Sequence, residues 1–245
     1  MKQSRLRLKV VGLFTLILGV MAIGAGIAQA ENSGGSWTYI NSAGELKILP
    51  NEQPINYNLD SATSTLLTKI AGVKVEFICT GIAATEAKLL TGGTALGSLK
   101  FSGCSTKLNG ATSVPCKPNA EGKESGVIKT LKMVLTLLLH KLPNGSLDKI
   151  MIAEGDVGSG PLIHVETSEE CSIGETVLFG GKVALIDCRL EGEVHLLEHL
   201  IKEFEPLTHL WAISDTAEHA AHLDGSWFIH LIGTNAFKEW AALWN

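Results

Sequence analysis

Leu99-Lys-Phe-Ser-Gly-Cys104-Ser-Thr-Lys-Leu-Asn-Gly-Ala-Thr-Ser-Val-Pro-Cys116 is the stretch on which the fold class turns. Leu99 and Phe101 alternate with Lys100 and Ser102, which is the period of a half-buried strand. Gly103 frees the backbone, and Asn109-Gly110 signals a tight turn because both residues tolerate positive φ. Pro115 stops regular structure just before Cys116. The stretch therefore reads as a strand end, a loop closed between two cysteines, and the start of the next segment. It is a signature of construction and carries no chemistry of its own.

The same rhythm runs outward in both directions. Trp37 to Ile40, Leu46 to Leu49 and Ile55 to Leu59 are short strand candidates, and Val73, Val75, Phe77 and Cys79 share one face of a stronger one. Ala83 to Leu90 has helix propensity but sits between strand signals. Val127 to His140 is the most apolar stretch after the leader. Lys129, Lys132 and His140 break it too often for a membrane span, and it predicts one long strand leading into a Pro143-Asn-Gly145 turn. Asp148 to Ala153, Leu162 to Glu166 and Thr176 to Ile186 continue the pattern, as do Leu207 to Ile213 and Gly225 to Ile232. The spacing predicts a mainly β chain, an antiparallel sandwich or barrel-like domain. One segment departs from it. Leu196, Leu197, Leu200, Ile201 and Phe204 fall at helical spacing before Pro206, so a helix is expected near 194–204.

Residues 1–30 read as a secretory signal. Lys2, Arg5, Arg7 and Lys9 precede an uncharged apolar run from Val10 to Ile27, and Ala28-Gln29-Ala30 supplies the small residues that cleavage needs. The rival reading is an uncleaved anchor. Cleavage makes Glu31 the new N-terminus and leaves 215 of the 245 residues, 31–245, as a single β-rich extracellular domain, with Arg189 as the one place where a subdomain boundary is conceivable. Removing the four basic residues of the leader from the chain's 20 leaves 16 against 25 acidic ones, a formal charge of −9. Arg189 is then the only arginine, which argues against nucleic acid and against anionic membranes. The partner expected instead is a cell-surface polymer or another protein, with no membrane contact after cleavage.

All five cysteines lie after the leader, which fits an oxidising compartment. Five cysteines allow 15 ways to make two bonds, and spacing does not choose among them. Cys104–Cys116 is the favoured pair because a turn lies between them. Cys171–Cys188 is second, bracketing a hairpin expected through Gly180-Gly181, and Cys79 is left as a buried thiol. No basic activating group near Cys79 marks it as catalytic.

One catalytic pattern is formally present, His195-Leu-Leu-Glu198-His199. On a helix, His195 and His199 share a face and can ligate zinc, with Glu198 polarising a bound water. A third ligand has to come from downstream, where Glu205, Asp215, Glu218 and Asp224 are the acidic residues available. Leu196, Leu197, Leu200 and Ile201 point the same segment inward and leave the histidines at the rim, so no metal and no cofactor are expected there. His219 and His222 have a spacing that would also suit ligands on a helix, but no cysteine pair or carboxylate stands in register with them. Gly155-Asp-Val-Gly158-Ser-Gly160-Pro161 is neither a P-loop nor a dinucleotide fingerprint. Among the five tryptophans, Trp227 reads as core, whereas Trp240 and Trp244 read as surface candidates for stacking on sugar rings.

Phe77-Ile-Cys79, Leu99 to Cys104, Cys116, Gly126 to Thr130, Glu170-Cys171, Gly181-Lys-Val183, Leu207 to Trp211, Asp224-Gly-Ser226 and the Trp240 tail follow one order. That order resembles a family of secreted, cysteine-containing, β-rich proteins found in many copies in soil actinobacteria. Its motifs are glycines, cysteines and strand residues, so the resemblance implies a scaffold and transfers no functional residue. The functional expectation is a non-catalytic secreted protein acting by surface interaction. A metal-dependent hydrolase using His195, Glu198 and His199, and a carbohydrate-binding module, are the alternatives.

Overall fold

Alternating apolar residues build nearly every element of this chain. The computed structural model describes residues 35–120, 124–141, 147–155, 160–191, 194–198, 210–214, 217–236 and 238–244, and the leader lies outside them. In chain order the strands are β1 (Gly35–Ile40), β2 (Leu46–Ile48), β3 (Gln53–Leu59), β4 (Ser64–Ile70), β5 (Val73–Cys79), β6 (Gly81–Leu90) and β7 (Thr94–Ser102). They continue as β8 (Ser105–Leu108), β9 (Ala111–Thr112), β10 (Asn119–Ala120), β11 (Glu124–Ser125), β12 (Val127–Thr130), β13 (Met133–Lys141) and β14 (Leu147–Gly155). The remainder are β15 (Pro161–Glu166), β16 (Thr176–Glu191), β17 (Val194–Glu198), β18 (Leu210–Ser214), β19 (Ala217–Asp224), β20 (Ser226–Leu231) and β21 (Trp240–Trp244). Among the described residues there is no α-helix, and thus none long and apolar enough to cross a membrane.

Eight strands close a circuit of antiparallel pairs. It runs β3, β6, β7, β13, β14, β16, β17, β20 and back to β3. A second layer shares β7 and β16 with that barrel. The far half of β7 pairs with β12, which pairs with β15 and so reaches the first half of β16. From there the layer continues through β18, β19, β4, β5, β8 and β9. β1, β2 and β21 form a separate three-stranded sheet. Trp37 of β1 fastens it, donating from Nε1 to Thr94 O at 2.8 Å.

Period-two burial sets which face of each strand turns inward. Val75, Phe77 and Cys79 of β5 are buried, as are Trp227, Ile229 and Leu231 of β20. Phe77 meets Phe179 of β16 edge to face, with centroids 6.0 Å apart. That arrangement is worth about 0.5–1.5 kcal/mol beyond burial. Buried polar groups at one end of the barrel are satisfied in a chain. Gln53 Nε2 donates to Pro54 O and Ile232 O, Asn235 Nδ2 donates to Gln53 Oε1, and Lys238 Nζ donates to Asn235 Oδ1.

Several sequence expectations need correction. Val194–Glu198 is a strand where a helix was expected, and residues 199–204 of that expectation lie outside the described residues. Its apolar spacing fits either period. Ladders to β16 on one side and β20 on the other satisfy the backbone on both edges, and helix propensities of a few tenths of a kcal/mol per residue do not compete with that. Val127–His140 is two strands, because Leu131-Lys132 is the point where pairing passes from β15 to β14. Gly180-Gly181 is no hairpin. β16 runs through it unbroken, and through Arg189, while its partners change from β15 and β18 to β14 and β17. The Asn109-Gly110 turn does form, with φ of 48° and 85°.

Candidate functional site

The disulfides follow strand register rather than loop closure. Ile78 stands opposite Ser105 in the β5–β8 ladder, so the next pair outward is Cys79 with Cys104. Their Cα atoms are 4.0 Å apart and they are bonded. The second bond is Cys116–Cys171, with Cα atoms 4.7 Å apart. Ser168 brings these segments together, donating from its backbone N–H and its Oγ to Pro115 O at 3.3 and 2.8 Å. Neither Cys104–Cys116 nor Cys171–Cys188 therefore exists. The turn at Asn109-Gly110 belongs to the β8–β9 hairpin, which returns Cys116 beside Thr106, whose Oγ1 donates to Cys116 O, yet Cys104 is bonded to Cys79 and Cys116 to Cys171. Cys188 lies on β16. All four bonded cysteines are buried.

The strand geometry of β17 also alters the histidine motif. His195 stands opposite Leu190 and Ile229, and Glu198 stands opposite Ile186 and Ser226. A strand rises about 3.3 Å per residue, so the two backbones are about 10 Å apart along it. The helical turn that the zinc pattern relies on is absent over 194–198. His199 lies outside the described residues. His219 and His222 sit on β19, where positions three apart fall on opposite faces, His219 half-buried and His222 exposed. Among the described residues no group of three or more His, Cys, Asp or Glu side chains is placed to hold a metal ion.

The tryptophans sort differently from expectation. Trp240 is core, 3% exposed, and packs edge to face on Trp37 with centroids 5.9 Å apart. Trp227 is core as expected. Among the tryptophans whose side chains are described, Trp211 is the one turned outward, and the side chain of Trp244 lies outside the described residues. Leu210, Ala212 and Ser214 of β18 are buried, and the alternation turns Trp211 and Ile213 to the other face. Trp211 pairs with Gly180, and a Cβ at Gly180 would run into the Trp211 ring. The indole thus lies over bare backbone. The same period-two reading of Leu210-Trp-Ala212 could have found it in the sequence.

The face around Trp211 is a row across five strands. Lys129 of β12, His164 of β15, Leu178 of β16, Ile213 of β18 and Glu218 of β19 stand in successive register. Lys100 extends the row beside Lys129. Glu124 Oε2 accepts from both lysines at 2.9 and 3.2 Å. The Lys100 ammonium first, and Lys129 second, hold the Glu124 carboxyl below the usual carboxylate range. The result is a broad outer face with an aromatic plate and a charged margin. Comparison with known proteins finds no matching family model, no matching curated protein and no matching solved structure.

Proposed function

We propose that this is a non-catalytic secreted protein that acts by surface interaction, through the outer face centred on Trp211. The observation that carries the reading is the half-buried indole over Gly180, beside Leu178 and Ile213, on the face whose far margin carries the Lys100–Glu124–Lys129 ion pairs. A half-buried aromatic plate on an outward face with a polar margin has the composition of a docking surface. Two disulfides suit an oxidising extracellular medium, in line with the leader at residues 1–30. Membership of the actinobacterial secreted family remains part of the same proposal.

The partner is a cell-surface polymer or another protein. A flat ring backed by the sheet favours the polymer, since sugar rings stack on indole faces, and this makes a carbohydrate-binding module the second reading. The test mixes exported wild-type protein and its Trp211→Ala variant with cell envelopes and with insoluble polysaccharides. Wild type should be retained, and the variant should lose about tenfold or more in affinity. Equal retention of the two, or no retention of wild type on any fraction, defeats the proposal.

A further inference from the structure

β2 is the edge of the small sheet, and its side chains are uncovered. Leu46, Lys47 and Ile48 are all exposed, Leu46 at 52% and Ile48 at 70%. Among the described residues six large apolar side chains are exposed, and three of them meet here. Ile40 of β1 stands opposite Leu46, and Ile48 follows on the same face.

The backbone of β2 is open as well. Asn41 N–H donates to Glu45 O at 2.9 Å, and Leu49 N–H donates to Trp37 O at 2.8 Å. Hydrogen-bonded pairs alternate along an antiparallel ladder, so Glu45, Lys47 and Leu49 turn their peptide groups toward β1. Leu46 and Ile48 turn theirs to the far side, where no strand pairs among the described residues. Such an edge is a template for one more strand.

The charges say which strand fits. A central lysine ordinarily guards a short edge. Here Lys47 Nζ lies 3.0 Å from Glu45 Oε2, so its charge is balanced within the strand. Antiparallel pairing of two copies about Leu46 sets Glu45 of each copy opposite Lys47 of the other. Pairing about Lys47 would instead set two lysines face to face, and like charges directly opposite are destabilising. A segment that is its own antiparallel complement is matched by a second copy of the same chain.

We infer that the chain self-associates through β2, two copies joining edge to edge about a two-fold axis at Leu46 to make one six-stranded sheet. The outward N–H and C=O of Leu46 bond to those of Leu46 in the second copy, and Glu45 and Lys47 make two cross-strand ion pairs. A three-residue edge buries little area, so association is weak and rises with concentration. This surface lies on a different sheet from Trp211.

The test is analytical ultracentrifugation of the full-length exported protein at low salt over a range of concentrations. Wild type should pass from monomer to dimer as concentration rises. Lys47→Glu and Glu45→Lys should each weaken association about tenfold or more, since each sets two like-charge pairs face to face. An equimolar mixture of the two variants should recover dimer, because every charge pair across the edge is again of opposite sign. Leu46→Pro removes an outward N–H that β1 does not use, and it should give a folded monomer. Any one of four results overturns the inference: wild type monomeric up to its solubility limit, either charge variant associating as wild type does, a mixture no better than its components, or a folded Leu46→Pro that dimerises. If one charge variant does not fold, the other charge variant and wild type still decide.

Discussion

Gly180 is where a single hydrogen atom decides what the outer face presents. It pairs with Trp211 and lies beneath that ring, and a Cβ there would also sit 2.8 Å from Gly160 O. Backbone on one side and an indole on the other leave nothing free to move aside. Gly180→Ala should therefore cost about 1–3 kcal/mol, the usual range for overpacking. Urea denaturation measures it, and a variant as stable as wild type would show that the ring does not rest on the backbone. His230 makes a residue-scale case through charge instead. It stands opposite Asn56 on the outer side of the barrel, half-buried, with Nδ1 enclosed and without a hydrogen-bond partner among the described residues. Burial pushes its pKa below the ordinary 6.5. The folded value then lies below the unfolded one, and between the two the unfolded chain binds the proton while the folded chain does not. Stability contributed by this site is complete above pH 6.5 and is lost as pH falls from there toward the folded value. His230→Gln removes the titration. From about pH 7 to about pH 5.5 it should lose less stability than wild type, and parallel curves for the two proteins would contradict the assignment.

At the scale of elements, pairing overrides local signals in a consistent way. Strands such as Val73–Cys79 and Ser226–Leu231 were legible because one face is buried and the other is not. The Asn109-Gly110 turn was legible because its two positive φ angles are a local requirement. Val194–Glu198 was not, since Leu196, Leu197 and Leu200 satisfy a helical period as well as a strand one, and only the flanking β16 and β20 choose between them. Gly180-Gly181 misled for a related reason. A glycine pair marks a turn or a close approach with equal force, and here it serves the approach of Trp211. In Ser64–Ile70 the adjacent Leu66 and Leu67 break the period of two, and its partner Ala217–Asp224 carries a single large apolar residue, Leu223. The disulfides are the plainest case. Cys79 meets Cys104 because β5 lies beside β8, and no spacing rule contains that fact. The bond closes 25 residues of chain and Cys116–Cys171 closes 55. In the chain-entropy model these contribute roughly 3.5 and 4 kcal/mol. Peptide mapping without reduction should recover fragments joined as 79–104 and 116–171, and the Cys79→Ala/Cys104→Ala double variant should lose about 2–5 kcal/mol in chemical denaturation. A 104–116 fragment in the map would mean that the β5–β8 register is wrong.

The whole molecule is nested from its ends. β1 pairs with β21, β3 with β20 and β4 with β19, so the first strands of the chain are bound to the last. The barrel circuit is complete only when β20 fills the place between β3 and β17. Until then both of those strands present a bare edge, and Ile55, Tyr57 and Leu59 lack the Leu231, Ile229 and Trp227 that stand opposite them. Loop-closure entropy for such pairings has to be met before any contact repays it, which makes the fold slow and its completion dependent on the C-terminal segment. A chain ending at Gly225 lacks β20 and β21 and should fail to fold. It should show no cooperative denaturation and should be cut rapidly by protease under conditions where the full chain resists. Trp240→Ala is the milder form of the same experiment. It removes the ring that Trp37 packs against at 5.9 Å while leaving β20 in place, and it should cost about 3–5 kcal/mol with cooperativity retained. If the chain ending at Gly225 unfolds cooperatively near the full-length midpoint, the barrel closes without its last strands and the nested order of assembly is wrong.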